Sequence, residues 1–279
     1  MLKRIALALA ATLAAATLSA QVSGAMMTLM SGEEKVPAFI AAPSDVVKKG
    51  GVVVIQEWWG LNDFVKTKAE HFARQGYVVI APDLYRGQLA TTSDQAHQLM
   101  RGLPEDRAMR DLQAAVAFLK GRADVDPTKV GVVGWCMGGG YSLSVALAEP
   151  ALAGAVIYYG RLLTDDATIR SLKPPLMGHF GGKDEGIPVE SVKEFERKAK
   201  AAGKSIDFKI YREAGHGFAS ALTDPATFRP EDAKDADART DAFFKRVLSV
   251  KKVTAKKTRT TKKKTAATKP APKPTPKKP

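Results

Sequence analysis

Three runs dominated by β-branched residues carry no alternation of apolar and polar side chains: Gly51-Val52-Val53-Val54-Ile55, Tyr77-Val78-Val79-Ile80-Ala81 and Lys129-Val130-Gly131-Val132-Val133-Gly134. A strand with one wet face alternates, whereas a strand that is apolar at every position must be covered on both faces. The stretches between these runs have helical periodicity over 62–75, 105–120, 138–148, 188–202 and 232–248, and in 105–120 Leu112, Val116 and Leu119 fall on one side. Further strands are expected at 153–159, 175–180 and 205–211, with a short antiparallel pair at 26–30 and 36–41. Asn62 is placed to cap the helix over 62–75 and Gly76 to end it. Strands alternating with helices in this way predict an α/β domain with a mostly parallel, doubly wound sheet in three α/β/α layers. No internal repeat or second domain is expected.

The chain has 279 residues and a formal net charge of +14, which by itself suggests a polyanionic partner. The excess sits at the two ends. Residues 251–279 hold twelve Lys and Arg and no acid, and Lys3 and Arg4 supply two more, which leaves 26–250 formally neutral. The tail is built almost wholly of Lys, Thr, Ala and Pro, a composition that cannot repay chain ordering by apolar burial, so disorder is expected there. Its charge suits electrostatic contact with anionic envelope components. Without aromatic residues it offers no platform for stacking bases, and sequence-specific nucleic-acid recognition is not expected.

At the other end, Lys3 and Arg4 precede an apolar run from Ile5 to Leu18 and then small and polar residues. The run is shorter than the ~20 residues a bilayer span needs, and reads as a secretory signal peptide over 1–25, cleaved after Ala20 or Ala25. A periplasmic or secreted protein with no membrane span in its mature form is the expectation. The folded domain is then 26–250. Its only cysteine, Cys136, has no intramolecular disulfide partner.

In open α/β sheets, ligands bind at the carboxyl ends of the strands, so the positions just after each strand are the informative ones. Gly134-Trp135-Cys136-Met137-Gly138-Gly139-Gly140 follows a strand and opens a helix. This is the setting of a nucleophile elbow, with Cys in place of Ser in G-x-S-x-G. A sulfur there meets the helix N-terminus, which favours thiolate, and the Met137 N–H can bind a developing oxyanion. His216, in Ala214-Gly215-His216-Gly217-Phe218, follows the strand over 205–211 and is the general-base candidate. His71 and His97 lie in helical patterns and His179 in an apolar strand, all read as structural. Asp184 follows the strand over 175–180 and can orient the imidazole, but spacing alone does not separate it from Glu185. Gln56-Glu57-Trp58-Trp59-Gly60 ends the strand over 51–55, and the N–H of Trp58 is placed to complete an oxyanion hole.

Together with Pro82-Asp83-Leu84-Tyr85-Arg86-Gly87, these segments resemble the dienelactone hydrolase family in order and spacing over about 26–248. The resemblance implies an α/β-hydrolase fold and a Cys136-His216-Asp184 triad that cleaves a lactone or carboxylic ester through an acyl-thioester. It implies a resting thiol hydrogen-bonded to Glu57, and no metal or organic cofactor. It also implies that Arg86 grips a substrate carboxylate. The family's second such arginine is replaced here by Ser220, which points to a less acidic ester and broader specificity. The competing expectation is a polyanion-tethered binding protein that acts through its basic tail.

Overall fold

The computed structural model describes residues 22–44, 47–222 and 225–250. The expected leader up to residue 21 and the tail from 251 lie outside them. In chain order the elements are β1 (Val22–Ser31), β2 (Glu34–Pro43), β3 (Lys49–Ile55), α1 (Asp63–Arg74), β4 (Val78–Pro82), α2 (Ser93–Arg101), α3 (Glu105–Gly121), β5 (Val125–Trp135), α4 (Met137–Ala148), β6 (Gly154–Tyr158), α5 (Asp166–Ser171), β7 (Leu176–Gly181), α6 (Val189–Ala201), β8 (Ile206–Tyr211) and α7 (Pro230–Leu248).

The strands form one eight-stranded sheet in the order β1-β2-β4-β3-β5-β6-β7-β8. The β1–β2 and β2–β4 pairs are antiparallel, and every pair from β4–β3 to β7–β8 is parallel. This is the α/β-hydrolase arrangement that the resemblance implies. All seven residues of β3 are buried, as its unalternating sequence requires. Val53 and Ile55 point into a core shared with Leu112, Val116 and Leu119 of α3, Leu143 of α4 and Phe195 of α6. Val52 and Val54 point into a second core with Phe64 and Phe72 of α1 and Phe243 and Phe244 of α7. The sheet thus separates two cores, and each fully buried Val or Ile contributes about 1.5–3 kcal/mol.

Local signals behave as expected at α1, where the Val65 N–H donates to Asn62 Oδ1 at 3.2 Å and Gly76 takes a φ of 98° just beyond the helix. The N-terminal hairpin is longer than the expected 26–30 and 36–41. β1 begins at Val22, upstream of the boundary read from the leader, and its first residues pair in register from Val22 with Pro43 to Ala25 with Ile40. One short helix, α5, lies where no element is expected. Its six residues are too few to show a period, and it is started by Asp165, whose side chain accepts from the Thr168 N–H at 2.9 Å. No helix among the described residues is long and apolar enough to cross a membrane.

Candidate active site

β5 lies at the centre of the sheet, between β3 and β6, and delivers Cys136 at its carboxyl end as the N-cap of α4. The turn is sharp. Cys136 adopts φ 53° and ψ −117°, a left-handed conformation that costs a non-glycine residue of order 1–3 kcal/mol and is sustained by the surrounding structure. The glycines on either side make the turn possible. A Cβ at Gly134 would strike the carbonyl of Gly138, and one at Gly138 would strike the carbonyls of Ile55 and Gln56. α4 therefore packs backbone to backbone against the end of β3, and its first amides, beginning with that of Met137, are among those a helix leaves without intrahelical acceptors.

Three side chains from three strand ends meet in a hydrogen-bonded chain. Cys136 Sγ lies 3.0 Å from His216 Nε2, and His216 Nδ1 lies 2.9 Å from Asp184 Oδ2. The other carboxylate oxygen of Asp184 accepts from the N–H groups of Gly186 and Ile187, both at 2.9 Å, so the carboxylate is fixed before it orients the ring. Glu185 is exposed, which separates the two adjacent acids. Burial disfavours the charged imidazole, but the bonds to Asp184 and Cys136 and the charges of both outweigh it, and the pKa of His216 is raised to about 10. The ring is also packed edge-on against Tyr159, with centroids 5.1 Å apart.

Glu57 is buried at the carboxyl end of β3, and the Tyr159 hydroxyl donates to its Oε1 at 3.5 Å. Burial, then the charge of Glu57, keeps Tyr159 well above the usual phenol range, so the hydroxyl stays a donor. The resting contact implied by the resemblance joins the thiol to Glu57. The sulfur is hydrogen-bonded to His216 and shares the small cavity with Glu57.

Cys136 and His216 open onto two cavities. The larger, about 480 Å³, is lined by Met137, Tyr141, Leu163 and Ile187, with Glu105 and Arg161 adding charge beside the Cys136–His216 pair. The smaller, about 230 Å³, is walled by Glu57, Trp58, Trp59 and Ser93. Trp58 is wedged edge-on between Trp59 and His97, at centroid distances of 5.2 Å and 4.7 Å, so His97 of α2 supports a cavity wall.

The profile of the dienelactone hydrolase family matches residues 36–248. The chain belongs to the dienelactone hydrolase family. It is accordingly a hydrolase of the carboxylic ester class. It is 32% identical over 238 residues to a "Putative carboxymethylenebutenolidase" of Methylorubrum extorquens, covering 78% of this chain and 81% of that one. It is 29% identical over 219 residues to a "Probable 2-oxo-3-(5-oxofuran-2-ylidene)propanoate lactonase" of Bradyrhizobium, covering 74% and 87%. The crystal structure of a "Putative Dienelactone Hydrolase" from Klebsiella pneumoniae superposes with a TM-score of 0.74 at 26% identity, over 80% of this chain and 98% of that one.

Within this family member, Arg86 is engaged by the protein itself. Its guanidinium is held by Asp111 of α3 at 2.7 Å, by Glu34 at 3.1 Å and by the Asp83 carbonyl at 3.2 Å, and Arg86 lines neither cavity at Cys136. The reason is electrostatic: Asp111 is wholly buried and needs a counter-charge. Ser220 is likewise buried and lines neither cavity. Two residues that sequence reasoning passed over take part in the site, Tyr159 and Arg161. Both follow β6, and their position after a parallel strand was the signal that could have found them. His71, bonded to Asp241 at 3.0 Å, and His179, bonded to Thr240 at 3.0 Å inside the second core, are structural.

Proposed function

We propose that the protein hydrolyses a lactone or carboxylic ester by covalent catalysis at Cys136. The observation that carries this reading is the Cys136–His216–Asp184 chain of 3.0 Å and 2.9 Å contacts, standing where the two cavities meet. In the mechanism, the thiolate attacks the carbonyl carbon of a substrate that spans both cavities. The carbonyl oxygen becomes an oxyanion, received by the N–H groups of Met137 and Trp58. Collapse breaks the C–O bond, and the leaving alkoxide takes the Nε2 proton of His216, which leaves an acyl-thioester and a neutral imidazole. His216 then takes a proton from water as it attacks the thioester. The acid product departs and the thiolate–imidazolium pair is restored. Asp184 holds the ring in the required tautomer throughout. Glu57, fixed by Tyr159, faces the same sulfur and is suited to moderate its charge between turnovers.

Iodoacetamide should label Cys136, located by peptide mass spectrometry, and abolish hydrolysis of p-nitrophenyl esters. Cys136→Ala should lower turnover at least ~10³-fold. Ester cleavage that persists in that variant sinks the reading.

We propose further that the protein works in the periplasm or outside the cell, as its leader suggests, and that the basic tail tethers it to anionic envelope surfaces. The fold suits such a tether. α7 ends at Leu248 beside Gly50, at the amino end of β3, while Glu57 and the thiol lie beyond the carboxyl ends of the strands. A tail leaving from residue 250 thus departs from the end of the sheet opposite the catalytic cavities.

A further inference from the structure

The larger cavity has a cation that nothing in the fold consumes. Arg161 lines it together with Cys136 and His216, and makes no ion pair or side-chain hydrogen bond with any described residue. Arg86, by contrast, is committed to Asp111 and Glu34. An arginine at a cavity rim without a protein partner keeps its full fork of donors for a planar anion.

The backbone holds Arg161 in register with the nucleophile. The Cys136 N–H donates to the Tyr158 carbonyl at 3.0 Å, so the elbow is bonded to the end of β6. Beyond that bond the chain turns through Tyr159, at φ 37°, and passes directly over the first turn of α4. A Cβ on Gly139 would lie 2.6 Å from the Tyr158 carbonyl and 2.9 Å from Gly160 Cα, and one on Gly160 would run into the Gly139–Gly140 peptide. An ideal Cβ on Gly140 would be in ordinary contact with Arg161, 3.6 Å from its N and 3.7 Å from its Cβ. The run of three glycines therefore brings the start of the Arg161 side chain against the helix whose first amide serves the oxyanion. The rest of the wall, including Met137, Tyr141, Leu163 and Ile187, is mostly apolar, and Glu105 is the only carboxylate in the lining. Glu105 is not ion-paired to Arg161. It repels an anion from its own part of the rim, so the favourable place for a substrate's charge is at Arg161.

Resting on the proposed ester hydrolysis, we propose that Arg161 is the specificity-determining residue of this enzyme, binding a carboxylate carried by the substrate away from the carbonyl under attack. The substrate class is then a monoanionic ester or lactone with an apolar spacer.

The test compares p-nitrophenyl hydrogen glutarate with p-nitrophenyl valerate, which has the same acyl length and no charge. The wild type should favour the glutarate ester in kcat/KM. Arg161→Met should lower the glutarate-to-valerate ratio at least tenfold, mainly through KM, and Arg161→Lys should restore part of it. A ratio that does not change in Arg161→Met, or the absence of any preference in the wild type, overturns the proposal. A second measurement does not depend on turnover: in Cys136→Ala protein, glutarate dianion should bind detectably by calorimetry and lose at least tenfold in affinity on adding Arg161→Met. Unchanged binding overturns the proposal as well. Cys136-dependent valerate cleavage with an Arg161-insensitive ratio refutes the Arg161 role alone. Valerate cleavage that survives Cys136→Ala refutes the covalent mechanism, and glutarate binding still decides Arg161.

Discussion

The imidazole of His216 is engaged at both nitrogens, and its pKa of about 10 is the sum of those contacts working against burial. A basic group raised in this way stabilises the fold fully below its ordinary value of 6.5 and loses that contribution as pH rises through about 10. The stability difference between wild type and His216→Gln should therefore be largest near pH 6 and shrink by pH 10, as read from urea midpoints. Removing the orienting carboxylate with Asp184→Asn should lower kcat by ~10²-fold or more with little change in KM. His179 behaves in the opposite sense. Burial first, then the charges of Arg239 and Lys209, depress it from 6.5 to about 3. Its contribution is fully present above pH 6.5 and is lost as pH falls towards 3, so His179→Gln should flatten the acid limb of the stability profile between pH 6.5 and 4. The sequence shows Cys136, His216 and Asp184 because each sits in a short motif directly after a strand. The engagement of Arg86 is hidden in it because Asp111 looks like any surface acid of an amphipathic helix. Arg161 is hidden too, since a Tyr-Gly-Arg after a strand matches no motif.

At the scale of elements, the Arg86–Asp111 pair joins the turn after β4 to α3. Arg86→Met leaves a buried carboxylate without its counter-charge and should cost about 3–5 kcal/mol in chemical unfolding. The double variant Arg86→Met/Asp111→Leu should recover most of that loss, which a purely substrate-binding Arg86 does not predict. Gly138→Ala forces α4 away from the carbonyls of Ile55 and Gln56, so it should lower stability by about 1–3 kcal/mol and reduce kcat together with it. The helices and parallel strands are legible because their periods persist over many residues. α5, with six residues, gives no period to read, and the start of β1 is obscured because small apolar residues serve a leader and an edge strand equally well.

For the whole molecule, the hairpin bears on the proposed secretion and leader cleavage. Cleavage after Ala25 removes strand residues from Val22 to Ala25 that pair with β2, whereas cleavage after Ala20 spares them. The mature chain should therefore begin at Gln21 by intact mass, and a chain starting at Met26 should unfold at a lower temperature. Truncation at residue 250 should abolish pelleting with vesicles rich in anionic lipid at low salt. The position of β5 has a last consequence. Its segment Gly131–Gly134 is bonded to β3 on one side and β6 on the other, far from the sheet edges at β1 and β8. Amides there should be among the slowest to exchange with deuterium, opening only with global unfolding, while those of the edge strand β1 should exchange through local fraying. Thermal inactivation should then follow the cooperative melt, and fraying of β1 should leave the thiol assembled.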